Sequence, residues 1–313
     1  MAESSHVDLA TVLDEQFPAA VSTILQSFAS ASATLRDMLA VAPLRDMLGT
    51  TGAINVQDEV TAKLDDLANR VFMEALRLPQ VARLISEEEP EPIELGDGAY
   101  TGCFDPLDGS SNIGVASVGS VLGVYIDVPS GAFAQGATIT GRQLVAAAFT
   151  VYGLPTMLMI AAADCVNGFV FDPEDRSWRL VSPAIKTPQA QYASINWMYR
   201  DRWPERVLRS VDLASDGLRG RYSGSMVEDI LRVLMSGGVF LYPEDSTSPN
   251  GKLRMLYEIC PIGFIMEAAG GAAIDGVRSV LDVPITQPHQ RGPLIVGDRE
   301  AVLRYQRGYV LED

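Results

Sequence analysis

The chain has 313 residues and a formal net charge of −16, with a pI of about 4.5. Such an acidic chain repels nucleic acid and anionic membrane surfaces, so we expect neither as a partner. Its three cysteines, Cys103, Cys165 and Cys260, are too few and too scattered for a disulfide framework. The opening residues, MAESSHVDLATVLDE, lack the basic and apolar regions of a secretory signal peptide, and we expect a reducing, cytoplasmic location.

The first half of the chain begins with helices and continues with strands. Apolar residues at three-to-four spacing predict two helices over 8–48 and a third over 58–78. Strands are predicted at 82–86, 100–104 and 118–126, with a hairpin at 168–181. The uncharged run 143–163 is long enough to cross a bilayer, but Gly153 and Pro155 interrupt it. We therefore predict two buried strands joined by a turn, not a membrane span.

The second half alternates between strands and helices. Strands are predicted near 192–196, 219–223, 239–243 and 293–297, and helices near 203–213, 225–238, 253–270 and from 298 onwards. This alternation predicts an α/β protein in which helices pack on sheets. We expect an N-terminal lobe over 1–185 and a C-terminal lobe over 186–313.

Acidic residues follow two of the strands predicted in the first lobe. SEEE at 86–89 ends one strand, and FDPLD at 104–108 ends the next. Asp-Pro and Asp-Gly are also ordinary turn pairs, so either motif alone is compatible with a simple turn. If the two strands are neighbours, the carboxylates converge at one edge of the sheet, where ligands bind in such sheets. These carboxylates are Glu87, Glu88, Asp105 and Asp108.

Four converging carboxylates require either protons or cations to offset their charge. Oxygen ligands alone suit hard cations such as Mg²⁺ or Mn²⁺. The turn that follows Asp108, at Gly109, Ser110 and Ser111, presents backbone amides of the kind that bind anions. A phosphate group held by cations and by these amides reconciles the acidic residues with the adjacent turn.

Other phosphatase and hydrolase chemistries are poorly represented in the sequence. The chain has only two histidines, His6 and His289, which disfavours a histidine nucleophile or a histidine-rich zinc site. It contains no G-x-x-x-x-G-K-[ST] loop, no G-x-S-x-G motif and no cysteine-phosphatase spacing. The remaining chemistry is attack of a metal-activated water on phosphorus.

Six segments resemble, in the same order, the class I fructose-1,6-bisphosphatases and the related sedoheptulose-1,7-bisphosphatases. They are SEEE, FDPLDGSSN, YSGSM (222–226), FLYP (240–243), SPNGKLRMLYE (248–258) and MEAAGG (266–271). The resemblance implies an αβαβα sandwich of alternating helix and sheet layers. It implies hydrolysis of the 1-phosphate of a sugar bisphosphate with two or three Mg²⁺ ions, with Mn²⁺ as an alternative ion. It also implies a homodimer or homotetramer.

The same resemblance assigns roles to individual residues around the metal ions. The expected Mg²⁺ ligands are four carboxylates and one backbone carbonyl, those of Glu87, Asp105, Asp108 and Glu258 and of Leu107. The pair expected to orient the attacking water and take its proton is Asp65 and Glu88, assisted by Glu59.

Further residues are expected to bind the substrate. The phosphate that leaves is expected to contact Gly109, Ser110 and Ser111. The distal phosphate is expected to contact Asn196, Tyr199, Tyr222, Tyr242 and Lys252, with Arg221 reaching in from a neighbouring subunit and Met226 lying near the sugar.

Several of these residues also have ordinary structural interpretations. Asp65 and Glu88 are compatible with solvated helix and loop acids, and Tyr222 and Tyr242 with core aromatic residues. Glu258 is the least compatible with such an interpretation, because it lies among apolar residues where an unpaired acid is costly.

The chain departs from the family members that AMP inhibits. It lacks their Gly-Thr-Gly-Glu turn in residues 1–50, and it has Ala99 and Ile126 where they have lysine and arginine. We therefore expect no AMP site. Some segments are slightly more similar to the sedoheptulose enzymes and others to the fructose enzymes, and we predict sedoheptulose 1,7-bisphosphate as substrate by a small margin. Fructose 1,6-bisphosphate remains open, because the two sugars differ by a single hydroxymethylene.

Two other functions remain compatible with the sequence. An inositol-phosphate-type monophosphatase of the same superfamily needs the metal motif but not the distal-phosphate residues. A non-catalytic sugar-phosphate sensor would bind its ligand and release no phosphate.

Overall fold

A computed structural model of the chain describes residues 7–54, 60–126, 128–129, 133 and 138–311. Within these ranges the α-helices are α1 (Leu9–Gln16), α2 (Ala19–Val41), α3 (Lys63–Ala75), α4 (Glu205–Ser215), α5 (Met226–Ser236), α6 (Cys260–Ala268) and α7 (Arg299–Val310). The 3₁₀ helices are Ala42–Arg45, Ser110–Asn112, Gly141–Gln143, Trp197–Arg202 and Val280–Asp282. One π-helical turn, Met255–Ile259, leads directly into α6.

The first strands, β1 (Thr50–Ile54) and β2 (Val60–Ala62), form a separate antiparallel pair. The next eight form one sheet in the order β10-β9-β8-β7-β6-β5-β3-β4. They are β3 (Val81–Ser86), β4 (Ile93–Glu94), β5 (Tyr100–Asp108), β6 (Gly119–Ile126), β7 (Leu144–Val151), β8 (Met157–Ala161), β9 (Val166–Asp172) and β10 (Ser177–Ser182). Only β3 and β5 pair in parallel, and the other neighbours are antiparallel.

The second sheet has five strands in the order β12-β11-β13-β17-β15. They are β11 (Tyr192–Ser194), β12 (Arg219–Gly220), β13 (Gly238–Tyr242), β15 (Ala272–Ile274) and β17 (Leu294–Gly297). A short antiparallel pair, β14 (Leu253–Arg254) and β16 (Arg291–Gly292), lies beside the π-helical turn. β14 occupies the start of the region 253–270 that the sequence predicted as one long helix.

Three hydrophobic cores define the order of the layers. Phe28 of α2 and Phe72 of α3 pack with Leu122 on one face of the large sheet. On its other face, Val121 packs with residues of α5, α6 and the small sheet. The outer face of the small sheet packs against α4 and α7. Helix and sheet layers therefore alternate as αβαβα, which confirms the predicted fold class.

The uncharged run 143–163 forms β7 and β8, two buried neighbouring strands of the large sheet. The prediction of a strand pair is confirmed. No helix within the described ranges is both long enough and apolar enough to cross a membrane.

Candidate active site

Two parallel strands bring the acidic motifs together. The register pairs Ser86, the last residue of β3, with Phe104 of β5, so β3 ends beside the start of the FDPLD motif. Glu87 and Glu88 follow β3 directly, and the Glu87 amide donates a hydrogen bond to the Phe104 carbonyl at 3.1 Å. The predicted convergence of the two motifs at one sheet edge is therefore present.

A bulge in β5 directs two aspartates toward the same place. Asp105 and Asp108 are three residues apart, and in a regular strand they would face opposite sides of the sheet. The opposing residues on β6 are Val121 and Gly119, only two apart, so β5 contains one extra residue between the aspartates. Both carboxylates consequently lie on the side that Glu258 approaches, where ligand oxygens of all three lie within 4.8 Å of one another.

Backbone amides hold the two aspartates in place. Asp105 Oδ1 accepts a hydrogen bond from the Leu107 amide at 2.8 Å. Asp108 Oδ2 accepts one from the Val227 amide at 3.0 Å, in the first turn of α5. The N-terminus of a helix favours such a negative charge. Both aspartates are buried.

Glu258 enters the site from the π-helical turn. Its Oε2 accepts the Arg254 amide at 2.6 Å, across the turn that begins at Met255. Single π turns are rare and occur frequently at functional sites. The side chain is only 3% exposed, so its burial excludes an interpretation as a surface acid.

Burial and mutual repulsion strongly perturb the three carboxyl groups. Burial, with Glu87 as the next contribution, raises the pKa of Asp105 well above its ordinary value. Burial also raises the pKa of Asp108 to about 6, against the opposing hydrogen bond from Val227. The pKa of Glu258 rises to about 8, because burial outweighs the nearby Arg254. A divalent cation would stabilise the ionised form of these three buried carboxyl groups, and carboxylate oxygens are ligands that such cations prefer. The residues therefore fit a metal site.

Arg254 belongs to the site although the sequence interpretation did not include it. Its guanidinium Nη2 lies 3.0 Å from Glu87 Oε1, and its Nη1 lies 3.8 Å from Glu258 Oε2. Arg254 lies two residues after Lys252, and charged residues in such a segment are also typical of a protein surface. In the structure Arg254 is buried, whereas Lys252 is partly exposed. Glu87, predicted as a metal ligand, adjoins the three-carboxylate cluster and pairs with this arginine.

Several of the other predicted catalytic and phosphate-binding residues line one cavity of about 250 Å³. Residues that line it include Asp65, Glu88, Leu107, Gly109, Ser110, Ser111, Tyr222, Met226 and Tyr242, together with the acidic cluster and Arg254. Asp65 is buried in the first turn of α3, so it is not a solvated helix acid. Glu59 lies outside the described residues.

The turn after Asp108 is shaped by a glycine. Gly109 has a φ of 79°, in the left-handed region that side chains other than glycine rarely adopt. A Cβ atom at this position would also lie 3.1 Å from Ser225 Oγ. The 3₁₀ turn Ser110–Asn112 follows at once, and the chain then returns as β6, antiparallel to β5.

Four of the residues predicted to bind the distal phosphate surround a second, small cavity beside the first. They are Asn196, Tyr199, Tyr242 and Lys252. Tyr242 lines both cavities. The Lys252 ammonium lies 4.3 Å from the centre of the Tyr199 ring and 3.5 Å from Asp245 Oδ2. Tyr222 hydrogen-bonds to Asn196, and burial raises the pKa of its hydroxyl.

Arg221 is the predicted substrate-binding residue that the structure places elsewhere. Among the residues described here, it lines neither cavity. Its guanidinium lies over the Tyr192 ring, 5.7 Å from the ring centre, and donates to the Gly220 carbonyl.

Comparison with known proteins identifies the family. The model of the fructose-1-6-bisphosphatase N-terminal domain matches residues 10–183, and that of the C-terminal domain matches residues 185–309. The chain belongs to the fructose-1,6-bisphosphatase family. It is therefore a phosphoric monoester hydrolase, as the sequence predicted.

Individual relatives of the fructose-1,6-bisphosphatase family match over most of their length. A class 1 fructose-1,6-bisphosphatase of Salinibacter ruber is 40% identical, with 94% of this chain and 88% of the relative covered. A class 1 enzyme of Persephonella marina is 38% identical, covering 90% of each. The crystal structure of Leishmania major fructose-1,6-bisphosphatase in holo form superposes with a TM-score of 0.92 at 32% identity, covering 97% of this chain and 99% of that one.

Proposed function

We propose that the chain is a divalent-metal-dependent sugar bisphosphatase that hydrolyses the 1-phosphate of fructose 1,6-bisphosphate. The observation that supports this most directly is the adjacency of two unlike subsites, which share Tyr242 in their walls. One subsite is a cluster of buried carboxylates, and the other has the ammonium group of Lys252. A substrate with a phosphate at each end fits this arrangement, since one phosphate needs cations to approach the acids and the other meets a lysine.

In the proposed reaction, the phosphate that leaves lies between the acidic cluster and the amides of Gly109, Ser110 and Ser111. Divalent cations bound by Glu87, Asp105, Asp108, Glu258 and the Leu107 carbonyl would neutralise the phosphoryl oxygens and stabilise the leaving oxygen. Mg²⁺ is the proposed ion, with Mn²⁺ as a substitute, because all these ligands are oxygens.

Asp65 and Glu88 act on the attacking water in this proposal. They come from different elements, the start of α3 and the loop after β3, and both line the cavity. One carboxylate orients the water by accepting a hydrogen bond, and the pair accepts its proton as the water oxygen bonds to phosphorus. The bond between phosphorus and the sugar oxygen at C1 breaks in the same reaction, and the leaving oxygen takes a proton from solvent. Arg254 offsets part of the negative charge beside Glu87 and Glu258.

The distal phosphate is assigned to Asn196, Tyr199, Tyr222, Tyr242 and Lys252, with Met226 beside the sugar. We also propose that Arg221 serves the site of a neighbouring subunit in a homodimer or homotetramer, which its exposed position outside both cavities supports. Most metal ligands would then lie on the lobe 1–185, and the distal-phosphate residues on the lobe 186–313.

We propose a cytoplasmic location, which rice relatives named cytosolic support.

The preference for sedoheptulose 1,7-bisphosphate remains a prediction, whereas the names of the relatives support the fructose substrate. Both are tested by measuring phosphate release with Mg²⁺ from each bisphosphate, with inositol 1-phosphate as control. Release from the bisphosphates supports the proposal, and the ratio of the two kcat/KM values decides the preferred sugar. Release from the inositol ester alone, or none from any compound while the ligands still bind, would refute it.

A further inference from the structure

The distance between the two proposed water-orienting carboxylates depends on how two separate elements dock. Asp65 lies in the first turn of α3, whereas Glu88 lies in the loop that follows β3. Neither element fixes the other through backbone pairing. Hydrophobic packing of α3 on β3 and β5 brings the two elements near each other. A side-chain contact between α3 and this loop would then fix the geometry of the pair, and a displacement of about 1 Å at such a site is catalytically significant.

Asn69 makes that contact. It lies four residues after Asp65, on the same face of α3, and it is buried. Its Oδ1 accepts a hydrogen bond from Ser86 Oγ at 2.7 Å, and its Nδ2 donates one to Glu89 Oε1 at 2.8 Å. One amide group therefore holds the residues on both sides of the loop segment that contains Glu88.

Ser86 continues the connection to Glu88 itself. Its hydroxyl is buried and donates its only hydrogen to Asn69. The same oxygen accepts the backbone amide of Glu88 at 3.3 Å. The connection needs a donor and an acceptor on one side chain, which asparagine supplies and aspartate does not.

We propose that Asn69 and Ser86 are positioning residues that fix Glu88 relative to Asp65. This inference rests on the proposed hydrolytic function. Neither Asn69 nor Ser86 is among the described residues that line the cavity, so neither touches the substrate. Glu87 is held independently, by the Phe104 carbonyl and by Arg254. Loss of the connection should therefore affect the reacting water and leave the metal cluster and the distal subsite in place.

The test compares Asn69→Ala, Ser86→Ala and the double variant with wild type. We expect each single variant to lower kcat for fructose 1,6-bisphosphate about 10- to 100-fold at saturating Mg²⁺. KM, and the Mn²⁺ dissociation constant measured by electron paramagnetic resonance without substrate, should change less than about threefold. The double variant should be little worse than the poorer single variant, because the two residues act as one connection.

Asn167→Ala is the matched control. Asn167 is also buried and also uses both ends of its amide, donating to Gln16 at 3.0 Å and accepting from the Ala184 amide at 2.9 Å. It lies outside the set of residues that surround the cavity. Its loss should lower the melting temperature and leave kcat unchanged. If Asn69→Ala does not fold, Ser86→Ala, which removes a single oxygen, provides the test.

Three results would overturn the inference. One is a kcat loss in Asn69→Ala or Ser86→Ala no larger than in Asn167→Ala. Another is weaker Mn²⁺ binding in parallel with kcat, which would make the two residues supports of the metal cluster. The third is multiplicative losses in the double variant. Wild-type protein without activity on any sugar bisphosphate would overturn the proposed function and this inference together, whereas an active wild type with a fully active Asn69→Ala overturns the inference alone.

Discussion

Replacement of Glu258 by glutamine should inactivate the protein and stabilise its metal-free form. Glutamine keeps the size of the side chain and the acceptor for the Arg254 amide, which Glu258 now contacts at 2.6 Å. It removes the carboxyl group whose pKa rises from 4.5 to about 8. The buried charge that the fold disfavours is then absent.

The magnitude follows from the linkage between protonation and folding. Because the pKa of Glu258 is higher in the folded protein than in the unfolded chain, this group contributes its full stability below pH 4.5. That contribution to the free energy of unfolding is lost as the pH rises toward 8. At pH 7, keeping this carboxyl protonated against an unfolded pKa of 4.5 costs about 3 kcal/mol. We therefore expect metal-free Glu258→Gln to melt about 6 °C above metal-free wild type at pH 7, with only a small difference at pH 5.

The assay is thermal unfolding in EDTA and in excess Mg²⁺, at pH 5 and pH 7. Mg²⁺ should raise the melting temperature of wild type at pH 7 and should have little effect on Glu258→Gln, which has lost a ligand. Glu174→Gln, in the exposed turn between β9 and β10, is the control and should match wild type throughout. A metal-free Glu258→Gln that melts below wild type at pH 7 would refute the reasoning.

Three further predictions concern the charged and turn residues of the site. Arg254→Gln should destabilise the metal-free protein by about 3 kcal/mol in urea unfolding, because it leaves the largely buried Glu87 without its cation; unchanged stability would contradict the pairing. Lys252→Ala should raise KM for the bisphosphate about 10- to 100-fold with little change in kcat, whereas the control Lys186→Ala should leave KM unchanged. If steady-state kinetics give Lys252→Ala the same KM as wild type, Lys252 is not part of the distal subsite. Gly109→Ala should lower kcat/KM about tenfold, since its φ of 79° costs about 1 kcal/mol for alanine and its Cβ crowds Ser225; full activity would show that the turn adapts.

The sequence predicted the layered fold well because its signals are local. Apolar spacing located α1, α2 and α3, and the strands predicted at 82–86 and 100–104 correspond to β3 and β5, whose ends carry the acidic motifs. β15 and β4 were not predicted, because strands of three and two residues are too short to show a periodic pattern.

The sequence predicted which residues form the site better than it predicted how they are arranged. The motifs indicated which carboxylates converge, but the β5 bulge that turns Asp105 and Asp108 the same way depends on pairing with β6. The π turn at Glu258 interrupts a segment whose pattern suits one continuous helix. Arg254 was missed because its role depends on Glu87, which is distant in the sequence and meets it only in the folded chain.

The central claim is that one end of a bisphosphate lies at the acidic cluster and the other at Lys252. The most direct measurement is ³¹P nuclear magnetic resonance of the products formed from fructose 1,6-bisphosphate with Mg²⁺. We predict one inorganic phosphate and fructose 6-phosphate per turnover, with the reaction stopped by EDTA. No phosphate release, release that persists in EDTA, or fructose 1-phosphate as the product would contradict the account.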